Sequence, residues 1–212
     1  SMNSWSETLS LWPDGAPLNV PREHAEERLQ TEDGADLHIR KVTDPTLEIF
    51  RAKSDQPTAA VVICPGGGYW LLSYIKEGRE IARYFADKGI TAVVLKYRLP
   101  DRELQSDPKH VPLMDAQRGL QLVRQNAKGW NIDPSRIGIL GFSAGGHLAA
   151  SASVMWERPA LESISPEEAR PDFSVLVYPV IAISKSYGHT GSRENLLGED
   201  AAPELVRRFS PE

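Results

Sequence analysis

The chain has a single cysteine in 212 residues, Cys64, so no internal disulfide can form and its thiol content marks no oxidising compartment. It has no apolar run near the ~20 residues that a membrane-spanning helix needs. It also lacks a basic excess. The net charge is −5, and no Lys/Arg stripe is present to neutralise phosphates, which argues against a nucleic-acid partner. The N-terminus shows no basic stretch followed by an apolar core, so no signal peptide is legible. Ser1 before Met2 reads as a cloning remnant, and a leader removed upstream would leave no trace, so cytoplasmic and secreted locations both stay open. Internal repeats and low-complexity tracts are missing too. No His/Cys/Asp cluster has metal-ligand spacing, and no Gly-Lys-Ser/Thr or G-x-G-x-x-G phosphate loop occurs, so neither a metal nor a cofactor is expected.

What remains is the composition of a globular domain, 41% hydrophobic and 25% charged, in a chain long enough for one well-buried unit and short for two. Residues 1–212 are therefore read as a single domain. Residues 1–35, rich in Pro, Gly and acidic side chains, are expected to wrap its surface through Trp5, Leu9, Leu11 and Trp12. Segments 37–42 and 47–50 alternate apolar with polar around the turn Asp44-Pro45, which predicts an antiparallel hairpin at a sheet edge. Continuous apolar runs at 59–64, 90–95, 137–140 and 173–178 read as strands buried on both faces. Helical spacing at 77–88, closed by Gly89, and at 113–127 falls between them. Residues 157–171 read as a loop or short helical excursion, and 204–209 as one or two helical turns. The alternation predicts an α/β fold with a mostly parallel, doubly wound sheet, whose site lies at the carboxyl ends of the strands.

Two motifs fall at those ends. Gly141-Phe-Ser143-Ala-Gly145 sits between a buried strand and an Ala-rich helix, the context that makes G-x-S-x-G a nucleophile elbow. The bare pattern arises by chance in about one chain in ten of this length, and the strand and helix around it lower that risk. The tight turn needs small neighbours, and it presents the Ser143 hydroxyl at a helix N-terminus. Upstream, Pro65-Gly-Gly-Gly68 follows a strand directly. Alone it would read as a flexible turn. Paired with the elbow it reads as an oxyanion loop, with the Ala144 N–H as partner donor, each donor contributing about 3–4 kcal/mol at the transition state.

Three stretches carry a family resemblance: Pro65-Gly-Gly-Gly-Tyr69, the segment 89–98, and Asp133 through Gly-Phe-Ser143-Ala-Gly-Gly-His147. Segments 178–181 and 189–198 add to it. The chain resembles the α/β-hydrolase superfamily and, more narrowly, its carbohydrate-esterase-like branch, described as acetylxylan esterases or lipase/esterase-like proteins. Related lipases place His where this chain has Pro65. The resemblance implies an α/β-hydrolase fold with Gly67, Gly68 and Ala144 as oxyanion donors and Tyr69 bordering the acyl or sugar pocket. It further implies a serine carboxylic-ester hydrolase that removes small acyl groups, acetyl above all, from a carbohydrate or similar ester through an acyl-enzyme at Ser143. Its partner is then a small-molecule or oligosaccharide ester, with no nucleic acid and no membrane.

The superfamily orders its triad Ser, acid, His on successive later strands. Asp172 with His189 would keep that order, but Asp172 precedes its strand and belongs at the opposite end of the sheet. His147, one helical turn past Ser143, reads as a packed helix residue, His24, His38 and His110 as solvated, Asp115 as complementing a helix dipole, and Cys64 as an inert small hydrophobe. Two further strands are expected and none is legible before Glu212, so the fold is expected to be C-terminally incomplete. The 212 residues alone should then turn over little substrate and expose a sheet edge, favouring self-association or a second chain that completes the sheet. Two rivals stand beside the esterase reading: a non-catalytic binding protein of the same fold, and a serine peptidase or lactonase.

Overall fold

In a computed structural model of the chain, residues 6–23 and 25–178 are described. In chain order the first elements are β1 (Glu7–Ser10), β2 (Glu27–Gln30), β3 (Leu37–Arg40), β4 (Thr46–Phe50), β5 (Thr58–Cys64) and β6 (Leu72–Ser73). They are followed by α1 (Glu80–Asp87), β7 (Thr91–Lys96), α2 (Val111–Gln125), β8 (Ile132–Phe142), α3 (Ala144–Val154), α4 (Pro166–Ala169) and β9 (Phe173–Val177).

Among the described residues six strands form the main sheet in the order β1-β4-β7-β5-β8-β9. The strands β7, β5, β8 and β9 run parallel, and β4 and β1 continue the sheet antiparallel. At its centre β7 and residues 60–64 and 137–140 are buried, as strands covered on both faces must be. In contrast β9, expected to be buried, is exposed at Phe173, Val175 and Leu176, because it has a strand partner on one side only among the described residues. The chain steps from β5 to β7 in one direction, then crosses back over β5 to β8. With right-handed crossovers that reversal places α1 on one face and α2 and α3 on the other. At Gly119 α2 faces Leu47, Leu95 and Val62. The reversal also opens a crevice at the carboxyl ends of β5 and β8, where the two glycine motifs meet.

An N-terminal antiparallel hairpin exists, but with other partners than the alternation at 37–50 suggests. β3 pairs with β2 and with β6 in a separate three-stranded sheet, whereas β4 joins the main sheet. The reason lies in Glu48. Its polar side chain imitates an outward position, yet it is buried, accepting from Arg79 Nε at 2.8 Å, Ser6 Oγ at 2.9 Å and the Tyr74 hydroxyl at 3.2 Å. A fully covered strand thereby looks half-exposed in sequence. The described part of the N-terminal segment supplies β1 and β2 and buries Leu11 in the core, while Trp5 lies outside the described residues. The excursion 157–171 holds the short α4, started by a capping box of Ser165 and Glu168. The expected turns at 204–209 lie outside the described residues.

Asp115 corrects the sequence reading. It lies beyond the first turn of α2, so its main role is not to complement the helix dipole; it is wholly buried, as is Arg98. The two form a bidentate pair, Nη2 to Oδ1 at 2.8 Å and Nε to Oδ2 at 3.0 Å, while Asp115 also accepts the Arg98 N–H and the Trp12 indole N–H. Arg98 Nη1 reaches back to the Pro17 carbonyl and Asn19. Removing one member of such a pair strands the other charge. Asp115→Ala should therefore cost roughly 3–5 kcal/mol of unfolding free energy in a urea titration at neutral pH.

Asp36 ties the small sheet to the segment that follows β6. Burial pushes its carboxyl up, but hydrogen bonds from Ser73, Lys76, Leu37 and Ile75 outweigh that and hold it below the ordinary carboxylate value. A carboxyl with a lowered folded-state pKa stabilises above its unfolded value and stops doing so as pH falls through the folded one. Asp36→Asn should accordingly flatten the acid limb of the stability–pH curve below about pH 4, read by thermal unfolding.

Candidate active site

Strand β8 ends at Phe142 and α3 begins at Ala144, leaving one residue for the corner. That residue, Ser143, takes φ +53° and ψ −116°, a conformation an L-residue adopts only under constraint. The constraint is visible. The Ser143 N–H donates to the Val177 carbonyl at the end of β9 (3.0 Å), and its carbonyl accepts the His147 N–H (3.0 Å). The side chain is half-buried at the N-terminus of α3. The corner is a strand–turn–helix elbow.

The loop after β5 lies directly against it. A Cβ placed on Gly145 would lie 2.1 Å from the Cys64 carbonyl oxygen, and one on Gly66 would lie 2.4 Å from that of Phe142. Gly141 would meet the Gly145 carbonyl at 2.0 Å. Glycine is thus required by the close approach of two backbones, not by flexibility. Beyond Gly66 the loop coils tightly: Gly67, Gly68 and Tyr69 all have positive φ, and the Gly67 carbonyl accepts the N–H groups of Trp70 and Leu71. The N–H groups of Gly67 and Ala144 have no acceptor among the described residues.

Three side chains clamp this loop. The buried Tyr97 hydroxyl donates to the Pro65 carbonyl at 2.5 Å, and burial pushes that phenol far above its usual range, so it remains a donor. The Glu77 carboxylate accepts the Gly66 N–H at 3.0 Å through Oε1 and the Tyr178 hydroxyl through Oε2. The Tyr69 hydroxyl lies 2.7 Å from His147 Nδ1, with the rings edge to face. Tyr69 is only 2% exposed, so its hydroxyl belongs to α3, and what it can offer a ligand is the ring surface that lines a neighbouring cleft. That cleft, about 330 Å³, is walled by Tyr69 and Trp70, by Arg40 at the end of β3 and Lys41 beyond it, and by residues 99–103 after β7.

The other residues weighed in the sequence fall where their physics puts them. His147 is buried within α3 as expected. Asp172 stands at the amino end of the sheet, accepting the Ile137 N–H and Arg124, far from the elbow. His189 and His24 lie outside the described residues. His38 and His110 are not freely solvated: they face Asp36 at 3.3 Å and Asp107 at 2.6 Å. Cys64 is a buried free thiol whose pKa burial pushes up. Among the described residues no group of His, Cys, Asp and Glu could hold a metal ion, and no helix is long and apolar enough to cross a membrane. Glu77 escapes sequence reading, where it serves only as the start of an amphipathic helix.

Comparison with known proteins fits this geometry. Residues 47–211 match the BD-FAE family model. The chain belongs to the BD-FAE family. It is 40% identical over 153 residues to an acetylxylan esterase of Xylanibacter ruminicola, covering 71% of this chain and 29% of that protein. It is 35% identical over 173 residues to endo-1,4-beta-xylanase B of Butyrivibrio fibrisolvens, covering 79% and 26%. The chain thus spans under a third of the length of these two relatives. Among solved structures, an acetyl ester-xyloside bifunctional hydrolase of Caldicellulosiruptor lactoaceticus superposes with a TM-score of 0.67 at 36% identity, over 79% of this chain and 60% of that one. An esterase 2 of Thermogutta terrifontis, phosphoramylated by tabun, gives 0.64 at 26% identity, over 90% and 67%. The fold of this BD-FAE member is that of the α/β hydrolases.

The contacts around the elbow separate two kinds of glycine. Gly68→Ala meets open space and has only its φ of +64° to overcome, which should cost about 1–2 kcal/mol. Gly145→Ala drives a methyl into the Cys64 carbonyl and should cost at least twice that, or abolish folding, in parallel urea titrations.

Proposed function

We propose that this chain carries the nucleophile and the oxyanion site of a serine carboxylic-ester hydrolase, with an acetyl ester on a xylose-based carbohydrate as substrate. The observation that carries the reading is the pairing of a strained Ser143 elbow with a backbone loop whose Gly67 N–H, like that of Ala144, is left without an acceptor among the described residues. In this reading the Ser143 Oγ attacks the acyl carbonyl. Negative charge collects on the carbonyl oxygen, and amide hydrogens of Gly67, Gly68 and Ala144 stabilise it at the N-terminus of α3, where the helix dipole has the right sign. Collapse of the tetrahedral intermediate expels the sugar hydroxyl and leaves Ser143 acylated. Water then attacks the acyl-enzyme and releases acetate. His147, the histidine of α3, spends its Nδ1 on the Tyr69 hydroxyl, so the reading takes the general base from outside the described residues. Neither a metal nor a cofactor enters this chemistry.

The substrate class draws on the acetylxylan esterase relative and on the cleft beside the loop. Trp70, 56% exposed, keeps its indole plane fixed by the Arg40 guanidinium stacked 3.7 Å from the ring centroid. A flat apolar surface beside polar side chains suits a sugar ring with its hydroxyls, and the Tyr69 ring surface would border the same ligand.

In the full-length protein carrying this chain, Ser143→Ala should lower kcat/KM for p-nitrophenyl acetate about 10³-fold or more. A phosphonate ester should label the wild type at Ser143, located by peptide mass spectrometry, and leave the alanine variant unlabelled. Acetylated xylan should be turned over and a peptide amide should not. Retained activity in Ser143→Ala would end the esterase reading, and turnover of the amide alone would favour a peptidase.

A further inference from the structure

A loop of three consecutive glycines has no side chain with which to hold itself, yet an oxyanion site works only if its amides are fixed before the substrate arrives. Something outside the loop must fix it. The Pro65 carbonyl and the Tyr69 hydroxyl are held at its two ends by Tyr97 and His147. Within the glycine run the Gly66 carbonyl accepts the Ser73 N–H at 2.9 Å, and a carboxylate holds the other side of the same residue, for the Gly66 N–H donates to Glu77 Oε1 at 3.0 Å. The fit is close: a Cβ on Gly66 would lie 2.7 Å from that same oxygen.

Glu77 does not arrive there by ordinary helical geometry. The Arg79 N–H bonds the Tyr74 carbonyl and the Glu80 N–H bonds the Ile75 carbonyl, so residues 75–79 form a widened i→i+5 turn ahead of α1. Such turns insert one extra residue and re-aim the side chains they carry. Asp36 holds the start of this one, accepting the N–H groups of Ile75 and Lys76 at 3.1 Å each. The second carboxylate oxygen of Glu77 takes the hydroxyl of Tyr178. Tyr178 directly follows Val177, whose carbonyl holds the Ser143 N–H. One carboxylate therefore joins the loop after β5 to the end of the strand that fixes the elbow. A carboxylate accepts and cannot donate when ionised, which suits the two donors converging on it.

Resting on the Ser143 esterase reading, we propose that Glu77 is the positioning residue of the oxyanion loop: it fixes the Gly66 peptide, and through it the aim of the Gly67 N–H at the acyl carbonyl above Ser143. It acts through the backbone and touches no reacting atom. Its loss should then appear in the chemical step and not in substrate binding.

The test uses the full-length protein with p-nitrophenyl acetate, comparing Glu77→Ala, Glu77→Gln, Tyr178→Phe and Ser143→Ala, each assayed well below its own Tm. Glu77→Ala should lower kcat about 10²-fold with KM changed less than about threefold, the scale of a misplacement near 1 Å. Glu77→Gln should recover most of that loss, because the amide oxygen still accepts the Gly66 N–H. Tyr178→Phe should give a smaller kcat loss at unchanged KM. Wild-type kcat in Glu77→Ala, or a Gln variant no better than the Ala variant, overturns the assignment. So does a loss that falls on KM or on Tm alone. Should Glu77→Ala fail to fold, the Gln and Tyr178→Phe variants decide by the same split. A dead Ser143→Ala beside a fully active Glu77→Ala sinks the Glu77 assignment only. An active Ser143→Ala sinks the hydrolase reading beneath it.

Discussion

The structure turns on the contact of two peptide backbones with no side chain between them. The carbonyls of Cys64 and Pro65 press on Gly145, and the carbonyl of Phe142 presses on Gly66. Adjacent parallel strands are spaced by their hydrogen bonds, so β5 and β8 necessarily deliver their carboxyl ends side by side. A strand that simply ended there would splay into solvent. Here each chain turns sharply on leaving the sheet, and the turns nest because glycine stands at every point of closest approach. The Ser143 φ of +53° follows from that nesting: the backbone has one residue in which to reverse into α3, and its N–H is already committed to Val177. Strain at the serine is held by the hydrogen bonds around it, not by the serine itself.

Nesting alone would leave the glycine loop free to rock. Besides the Ser73 N–H of β6 on the Gly66 carbonyl, three side chains reach it from separate directions: Tyr97 from the end of β7, Glu77 from the widened turn before α1, and His147 from α3 by way of Tyr69. Each contact is charged, buried or both, so each is costly to leave unmade. Together they replace the solvent that would otherwise order around the amides, leaving the Gly67 and Ala144 N–H groups as donors with no acceptor among the described residues. A site that is fixed by its surroundings and unsatisfied at its centre is suited to bind charge as it develops.

Much of this is legible in the sequence because it is local. The elbow, the glycine loop and the buried strands are written in consecutive residues, and small residues at fixed offsets from Ser143 are what a one-residue corner between strand and helix demands. What escapes reading is what depends on distance along the chain or on burial that mimics exposure. Glu48 imitates an outward strand position, so the alternation assigns β4 the wrong neighbour. Asp115 reads as a complement to its helix dipole, because nothing in its own segment reveals that Arg98 lies opposite. Glu77 meets Gly66 across 11 residues and Tyr178 across 101, and the i→i+5 turn that aims it breaks the 3.6-residue period on which helix reading relies. The partner of the Tyr69 hydroxyl is hidden for the same reason, since it lies 78 residues away on α3.

The buried ion pair and the site are joined by adjacency in the chain. Tyr97 and Arg98 are the first two residues after β7. Arg98 takes Asp115 of α2, Pro17 and Asn19, while Tyr97 takes the Pro65 carbonyl. The pair thereby fixes the backbone from which the neighbouring clamp extends. Desolvating two charges is expensive, and an apolar pair of equal volume could match the stability. What an apolar pair could not supply is direction: the fork of a guanidinium on a carboxylate fixes an angle as well as a distance. That angle sets the backbone at residue 98, and one residue earlier it sets the hydroxyl that closes on the loop beside Ser143.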